Sequence, residues 1–158
     1  MPVTPFHFGP GLLLKAAAPR AVSFSAFAAA NVAIDVESLV NLLTGRYPVH
    51  ATLHTFAASL LVGVLAGGAV GLFGRWRRTR SPEFLPRPAL TGGLLGGMSH
   101  PFLDGIMHGD IRPFLPLTEE NPLYRLVGLD ALHSACVVAA LLGTVVLAWR
   151  WRSHTAAG

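Results

Sequence analysis

Charged residues are scarce in this chain of 158 residues. Asp, Glu, Lys and Arg make up only 13% of it, against about 25% in an average soluble domain. Hydrophobic residues make up 52%, and Cys136 is the only cysteine. The composition excludes intrinsic disorder and disfavours an ordinary soluble domain. The single cysteine excludes an internal disulfide. The length allows one domain.

Lysine is scarce: Lys15 is the only lysine among the 12 lysine and arginine residues. The arginines cluster instead, in a run from Arg75 to Arg80 and in the pair Arg150 and Arg152. Each cluster follows a long apolar segment and includes tryptophan. Arginine beside tryptophan at the end of an apolar run is typical of a membrane interface. We therefore expect membrane lipid as a partner and no nucleic acid.

The apolar segments predict an all-α, polytopic membrane protein with a single helical domain. Each of the four segments is close to the 20 or so residues that a bilayer core requires. The predicted spans are residues 21–44, 51–74, 88–108 and 126–149. A shorter apolar piece, residues 10–18, predicts an interfacial or half-inserted helix, and residues 150–158 form a basic tail.

Glycines recur at four-residue spacing within the second and third predicted spans. They are Gly63, Gly67 and Gly71, and then Gly92 and Gly96 with their neighbours. This spacing allows helix backbones to approach closely in membranes. It predicts helix packing within the chain, and it offers Gly-x-x-x-Gly faces to a possible homo-oligomer.

The basic clusters also predict an orientation. With four spans, the arginine runs and Lys15 with Arg20 all fall on one side of the membrane, which the positive-inside tendency makes cytoplasmic. The C-terminus is then cytoplasmic, and the acids and histidines of the spans fall in the outer half of the bilayer.

Those acids and histidines occur at spacings that favour metal binding. His50 and His54 are four residues apart, His100, Asp104 and His108 step by four twice, and Asp130 and His133 are three apart. Residues at these spacings share one face of a helix. Imidazole and carboxylate on facing helices are how metal sites in helical bundles are built. A buried charge without compensation is costly, and a metal cation supplies that compensation.

The predicted ligand set combines nitrogen and oxygen donors, which suits Zn, with Mn or Fe as alternatives, better than Ca. We expect one or two divalent ions. The candidate ligands are His7, Asp35, His50, His54, His100, Asp104, His108 and His133.

Three further residues are candidates for catalytic roles. Glu37 is expected to support the ligands or to act as a general base, and Asp130 is a second candidate base. Arg112 is the candidate for gripping a phosphate, unless it only forms a structural salt bridge with Asp110. For His50 or His133 taken alone, an ordinary hydrogen-bonded core histidine is the favoured interpretation.

The run Ser99-His100-Pro101-Phe102-Leu103-Asp104, with His50 and His54 upstream, His7 near the start and Asp35 in an apolar helix, resembles a known family. It is similar to bacterial inner-membrane proteins described as LexA-regulated, metal-dependent hydrolases. The resemblance covers residues 5–143 and implies a small helical membrane domain with His7, Asp35, His54, His100 and Asp104 as ligands. Two motifs differ: Asp35-Val36-Glu37-Ser38 stands where the family has Asp-x-Asp-His, and the histidine pair is one residue closer.

The His-x-x-x-Asp step is also similar, more loosely, to that of the all-helical zinc phospholipases C, and this likeness suggests a lipid phosphoester substrate. The leading hypothesis is thus a metal-dependent hydrolase acting on a lipid or another membrane-associated phosphoester. A carrier of divalent metal or protons is the alternative, since acids and histidines inside membranes also mark ion pathways. A structural membrane subunit is the third.

Overall fold

The computed structural model describes residues 4–156, and within that range the chain is helical and contains no strand. The five α-helices are α1 (Thr4–Ala17), α2 (Phe24–Leu43), α3 (Phe56–Trp76), α4 (Pro86–Met107) and α5 (Leu129–Ala156). One-turn 3-10 helices, Thr52–His54 and Pro82–Phe84, precede α3 and α4. The all-α prediction is confirmed for this range.

Helix starts follow from short polar side chains placed just before apolar runs. The Ser23 side chain accepts a hydrogen bond from the backbone N–H of Ala26, and Thr55 does the same for Ala58. Such caps satisfy N–H groups that have no partner inside the helix. The Thr55 cap fixes the start of α3 one residue after Thr55, so that His50 and His54 precede the helix.

Three helices are long and apolar enough to cross a membrane: Phe24–Leu43, Phe56–Trp76 and Leu129–Ser153. The sequence predicts four spans, and α4 is the one that does not qualify. Its 22 residues would reach about 33 Å, but glycine, proline, His100 and Asp104 make it less apolar. This composition fits its place in the bundle, because α2 and α3 pack against it and bury 12 of its residues.

Large apolar side chains point outward from the other helices. Leu39 on α2, Leu65 on α3 and Leu141 on α5 are each at least half exposed. A surface of this kind is unfavourable in water and favourable against lipid. The three helices therefore define a helical membrane protein.

Several predicted boundaries need correction. The short N-terminal helix begins at Thr4, well before residue 10, and runs through Pro10. Proline removes one helical hydrogen bond, and packing of α1 against α5 supports the helix around it. The fourth predicted span starts at Leu129 and continues to Ala156, so the basic tail is helical as far as the structure describes it; residues 157–158 lie outside the described part.

Glycine contacts hold α4 against its neighbours. A Cβ on Gly93 would lie 2.1 Å from the Gly63 carbonyl oxygen, and one on Gly92 would lie 2.1 Å from the Ser23 carbonyl oxygen. Only hydrogen at these positions permits such contact between backbones. The glycine faces that the sequence offers to a homo-oligomer are therefore occupied by helices of the same chain.

The bundle has two chemically different ends. At one end Lys15 forms an ion pair with Glu83, which joins α1 to the 3-10 turn before α4. Arg20 and Arg150 border one groove at the same end. His7, at the opposite end of α1, lies 3.0 Å from Asp104 on α4. The basic clusters and the histidine-rich group thus lie at opposite ends, as the sequence predicts.

Candidate metal centre

Four side chains from three elements converge near the histidine-rich end of the bundle. His100 and Asp104 are one helical turn apart on α4, Asp35 comes from the later half of α2, and His54 comes from the 3-10 turn before α3. One ligand atom from each lies within 4.8 Å of the others. We call Asp35, His54, His100 and Asp104 the central tetrad.

The spacing of the central tetrad is that of ligands around one ion. His100 Nε2 lies 3.3 Å from Asp35 Oδ1 and 3.3 Å from Asp104 Oδ2. His54 Nε2 lies 3.7 Å and 3.5 Å from the same two oxygens and 3.3 Å from His100 Nε2. Ligand atoms about 2.0–2.1 Å from a tetrahedral zinc ion lie about 3.3–3.4 Å from each other. The four side chains could therefore hold a metal ion with little movement.

Asn31 fixes which nitrogen of His100 faces the tetrad. Its amide Nδ2 donates to the Phe27 carbonyl at 2.8 Å, so its Oδ1 must face His100 Nδ1, 2.9 Å away. His100 Nδ1 therefore carries a proton, and Nε2 is the nitrogen that faces the tetrad. A second ring nitrogen bound to a polar partner is the usual support of a metal-binding histidine.

His54 is held from its other side. Its Nδ1 lies 3.8 Å from Glu37 Oε2, and the Glu37 carboxylate accepts hydrogen bonds from the backbone N–H groups of Thr52 and Leu53. Glu37 thus lies on the Nδ1 side of His54, away from the tetrad atoms, and secures the turn that carries His54. Of its two predicted roles, this position favours support of the ligand over proton transfer at the ion. Ser38 Oγ also approaches His54 Nε2, at 3.4 Å.

His7 completes the group from α1. Its Nε2 lies 3.0 Å from Asp104 Oδ1, and its ring stacks on His100 with centroids 4.5 Å apart. Its Nδ1 makes no hydrogen bond within residues 4–156. His7 is buried. It can contact Asp104 because α1 begins at Thr4, so that His7 lies on a helix that packs against α4.

Burial gives the group its electrostatic character. His7, His54, His100 and Asp104 are at most 1% exposed. Among the described residues, Asp104 has only histidines as ion-pair partners. A buried carboxylate needs positive charge beside it, which the imidazoles supply only when protonated and a divalent cation would supply directly.

A second group lies beside the first. His50 Nδ1 is 3.0 Å and 3.1 Å from the two Asp110 oxygens, and its ring stacks on His108 with centroids 4.2 Å apart. Burial raises the pKa of Asp110, but hydrogen bonds from the backbone and ring of His50 outweigh it and hold that pKa below its ordinary value. The His50 and His54 ring centroids are 4.9 Å apart, so the two groups are in contact.

Three predicted site residues lie away from the tetrad. His133 stacks on Phe6 with ring centroids 4.4 Å apart, and Asp130 is exposed in the first turn of α5. Both lie on α5, which packs mainly on α1, whereas the tetrad is built by α2, α4 and the turn before α3. Arg112 is half exposed and pairs with Glu119 at 2.9 Å rather than with Asp110.

An open groove of about 560 Å³ borders the second group. Its polar wall contains His50, Asp110 and Arg112, and most of the remaining wall is apolar, including Ala57, Leu115 and Pro116. The groove is thus separated from the tetrad by His50, whose ring lies edge-on to His54.

Sequence reasoning missed Asn31 and Ser38 as supports of the histidines and Asp110 as the partner of His50. A signal for Asn31 was present, because it lies one helical turn before Asp35 in an otherwise apolar segment.

No known protein family, curated protein or solved structure matches this chain. The class of protein is therefore defined by fold and site alone: a helical membrane protein with a buried His/Asp group that could hold a metal ion.

Proposed function

We propose that this protein is a membrane-embedded, metal-dependent hydrolase whose ion is bound by the central tetrad. The observation that carries the proposal is the spacing of the ligand atoms, because the two histidine nitrogens lie 3.3–3.7 Å from each other and from the two carboxylate oxygens, close to the edges of a tetrahedral zinc site. The tautomer of His100 imposed by Asn31 supports it independently.

Zinc is the ion that we favour, with manganese and iron as alternatives, because the donors are two imidazoles and two carboxylates. A divalent ion there would supply hydroxide at neutral pH by lowering the pKa of a water molecule from 15.7 towards about 7. Structural zinc sites have four protein ligands, whereas catalytic sites keep one position for water, so one carboxylate of the tetrad would have to give up its position to water.

His7 is the group that we assign to proton transfer. Its Nε2 lies 3.0 Å from Asp104 Oδ1, and its Nδ1 makes no hydrogen bond within residues 4–156. In catalytic triads a carboxylate faces one imidazole nitrogen and the other nitrogen acts as the general base. Glu37 keeps His54 in place, and Asp130 is left without a catalytic role.

The substrate class that fits best is a lipid phosphoester. The groove beside His50 is mainly apolar and open, and the exposed Arg112 stands at its wall to meet an anionic group. Because His50 lies between this groove and the tetrad, its ring would have to move for a phosphoester to reach the ion. Arginine pairs with phosphate through two parallel hydrogen bonds. Its pairing with Glu119 would have to be exchanged for the substrate.

We further propose that the protein resides in a bacterial inner membrane with the tetrad towards the outer face. The support is the position of the basic clusters at the opposite end of the bundle. We favour hydrolysis over transport of metal or protons because, in the half of the bundle beyond the tetrad, α3 and α4 are in direct backbone contact through their glycines.

The test is hydrolysis of a defined phospholipid by the detergent-purified protein, before and after removal of metal by a chelator. We expect activity that is lost on chelation and restored by zinc or manganese. His100→Ala should abolish it, and His133→Gln, a change to a histidine outside the tetrad, should not. Activity that survives full metal removal would contradict a metal-dependent mechanism.

A further inference from the structure

Beside the central tetrad, His50, His108 and Asp110 form a group whose ligand atoms also lie within 4.8 Å of each other. Its members come from two loops. His50 precedes the 3-10 turn before α3, and His108 and Asp110 follow the end of α4. The group is therefore built by the loops that adjoin α4 and the 3-10 turn, which also contribute to the tetrad.

The Asp110 carboxylate determines the tautomer of His50. Its Oδ2 accepts the backbone N–H groups of Val49 and His50, at 3.1 Å and 3.2 Å. The carboxylate also faces His50 Nδ1, so that this nitrogen must carry the proton and donate it. The remaining lone pair of His50 is thus on Nε2.

That Nε2 atom is buried and makes no hydrogen bond with any described residue, and the His50 side chain is 4% exposed. The His108 ring stacks on His50 and likewise forms no hydrogen bond or ion pair within residues 4–156. A carboxylate behind one ring nitrogen and an unused lone pair on the other is the arrangement found behind metal-binding histidines.

We propose that His50 and His108 bind a second divalent transition-metal ion, with Asp110 orienting His50. Imidazole ligands favour Zn²⁺, Co²⁺ and similar ions over Mg²⁺ or Ca²⁺. Only two imidazoles are supplied, so the ion is bound more weakly than at the tetrad. This site goes beyond the proposed hydrolase function and does not depend on it.

The test is a calorimetric titration of the chelator-treated, detergent-purified protein with Zn²⁺. We expect two equivalents in the parent protein, one tight and one at least 10-fold weaker. His108→Phe keeps a ring for stacking on His50 but removes both nitrogens, so it should bind only the tight equivalent. His133→Gln is the matched control and should bind both.

Loss of the tight equivalent alone in a His100→Ala/Asp104→Ala variant would assign the weak one to His50 and His108. Circular dichroism and gel filtration verify that each variant is folded, and His108→Gln replaces His108→Phe if the latter aggregates. A single equivalent in the parent protein that the His108 variant retains overturns the second site, and so do two equivalents retained in that variant. Loss of the tetrad ion with an intact weak site would count against the proposed function alone.

Discussion

Asn31 offers the sharpest perturbation of the tetrad, because it touches a ligand without being one. Asn31→Leu keeps the size of the side chain but removes the oxygen that accepts the His100 Nδ1 proton, 2.9 Å away. His100 could then adopt the other tautomer or turn its ring. Loss of a supporting partner of this kind costs about 10–100-fold in metal affinity. The expected weakening is therefore about 1.4–2.8 kcal/mol.

The metal-free protein should also lose stability, because His100 is fully buried and its N–H would have no partner. The cost of such a group is about 1–3 kcal/mol. The assay is zinc binding by competition with a chromogenic chelator, alongside thermal unfolding of the metal-free protein. Asn31→Asp restores an acceptor and should bind zinc within a few-fold of the parent protein. Unchanged zinc affinity in Asn31→Leu would refute the tautomer argument.

Two further predictions concern the bundle. Gly93→Val should destabilise the protein by about 3 kcal/mol or more, measured by thermal unfolding in detergent, because its Cβ would lie 2.1 Å from the Gly63 carbonyl oxygen. Gly68→Val is the control and should have little effect, because no atom lies within 4 Å of a Cβ at that position. Equal destabilisation by the two substitutions would contradict the packing of α3 against α4. Burial raises the pKa of Glu83, but hydrogen bonds from Lys15 and Ser25 outweigh burial and hold this pKa below its ordinary value of 4.5. The Glu83 carboxylate therefore stabilises the fold at pH values above 4.5, and this stabilisation is lost as the pH falls through the lowered pKa. Glu83→Gln should therefore cost about 1–2 kcal/mol at pH 7 and much less in strong acid, and a pH-independent difference would contradict this reasoning.

The sequence was most informative where the structure is a regular helix. His100 and Asp104 fall on one face of α4 because they are four residues apart and the helix continues through both. The positions of Asp35 and His54 along their predicted spans put them at the same depth in the membrane as His100 and Asp104. The structure brings these four residues together. These inferences rest on helical periodicity and on the cost of burying charge, which the sequence alone conveys.

The sequence was least informative where the backbone is irregular. Treating His50 and His54 as one helical face gave a single group, but the helix starts only after Thr55. His50 therefore turns to Asp110, and His54 turns to the tetrad. The position of His133 depended on α5 packing against α1, and tertiary contacts of this kind leave no trace in a single sequence.

The central claim is that the tetrad holds a metal ion, and metal content tests it most directly. Inductively coupled plasma mass spectrometry would compare the purified parent protein with His100→Ala/Asp104→Ala, both taken as single folded species from gel filtration. We predict at least one equivalent of a transition metal in the parent protein, with the tetrad equivalent missing from the variant. No metal in either protein, even after reconstitution with zinc and manganese, would contradict the metal centre and the hydrolase function that depends on it.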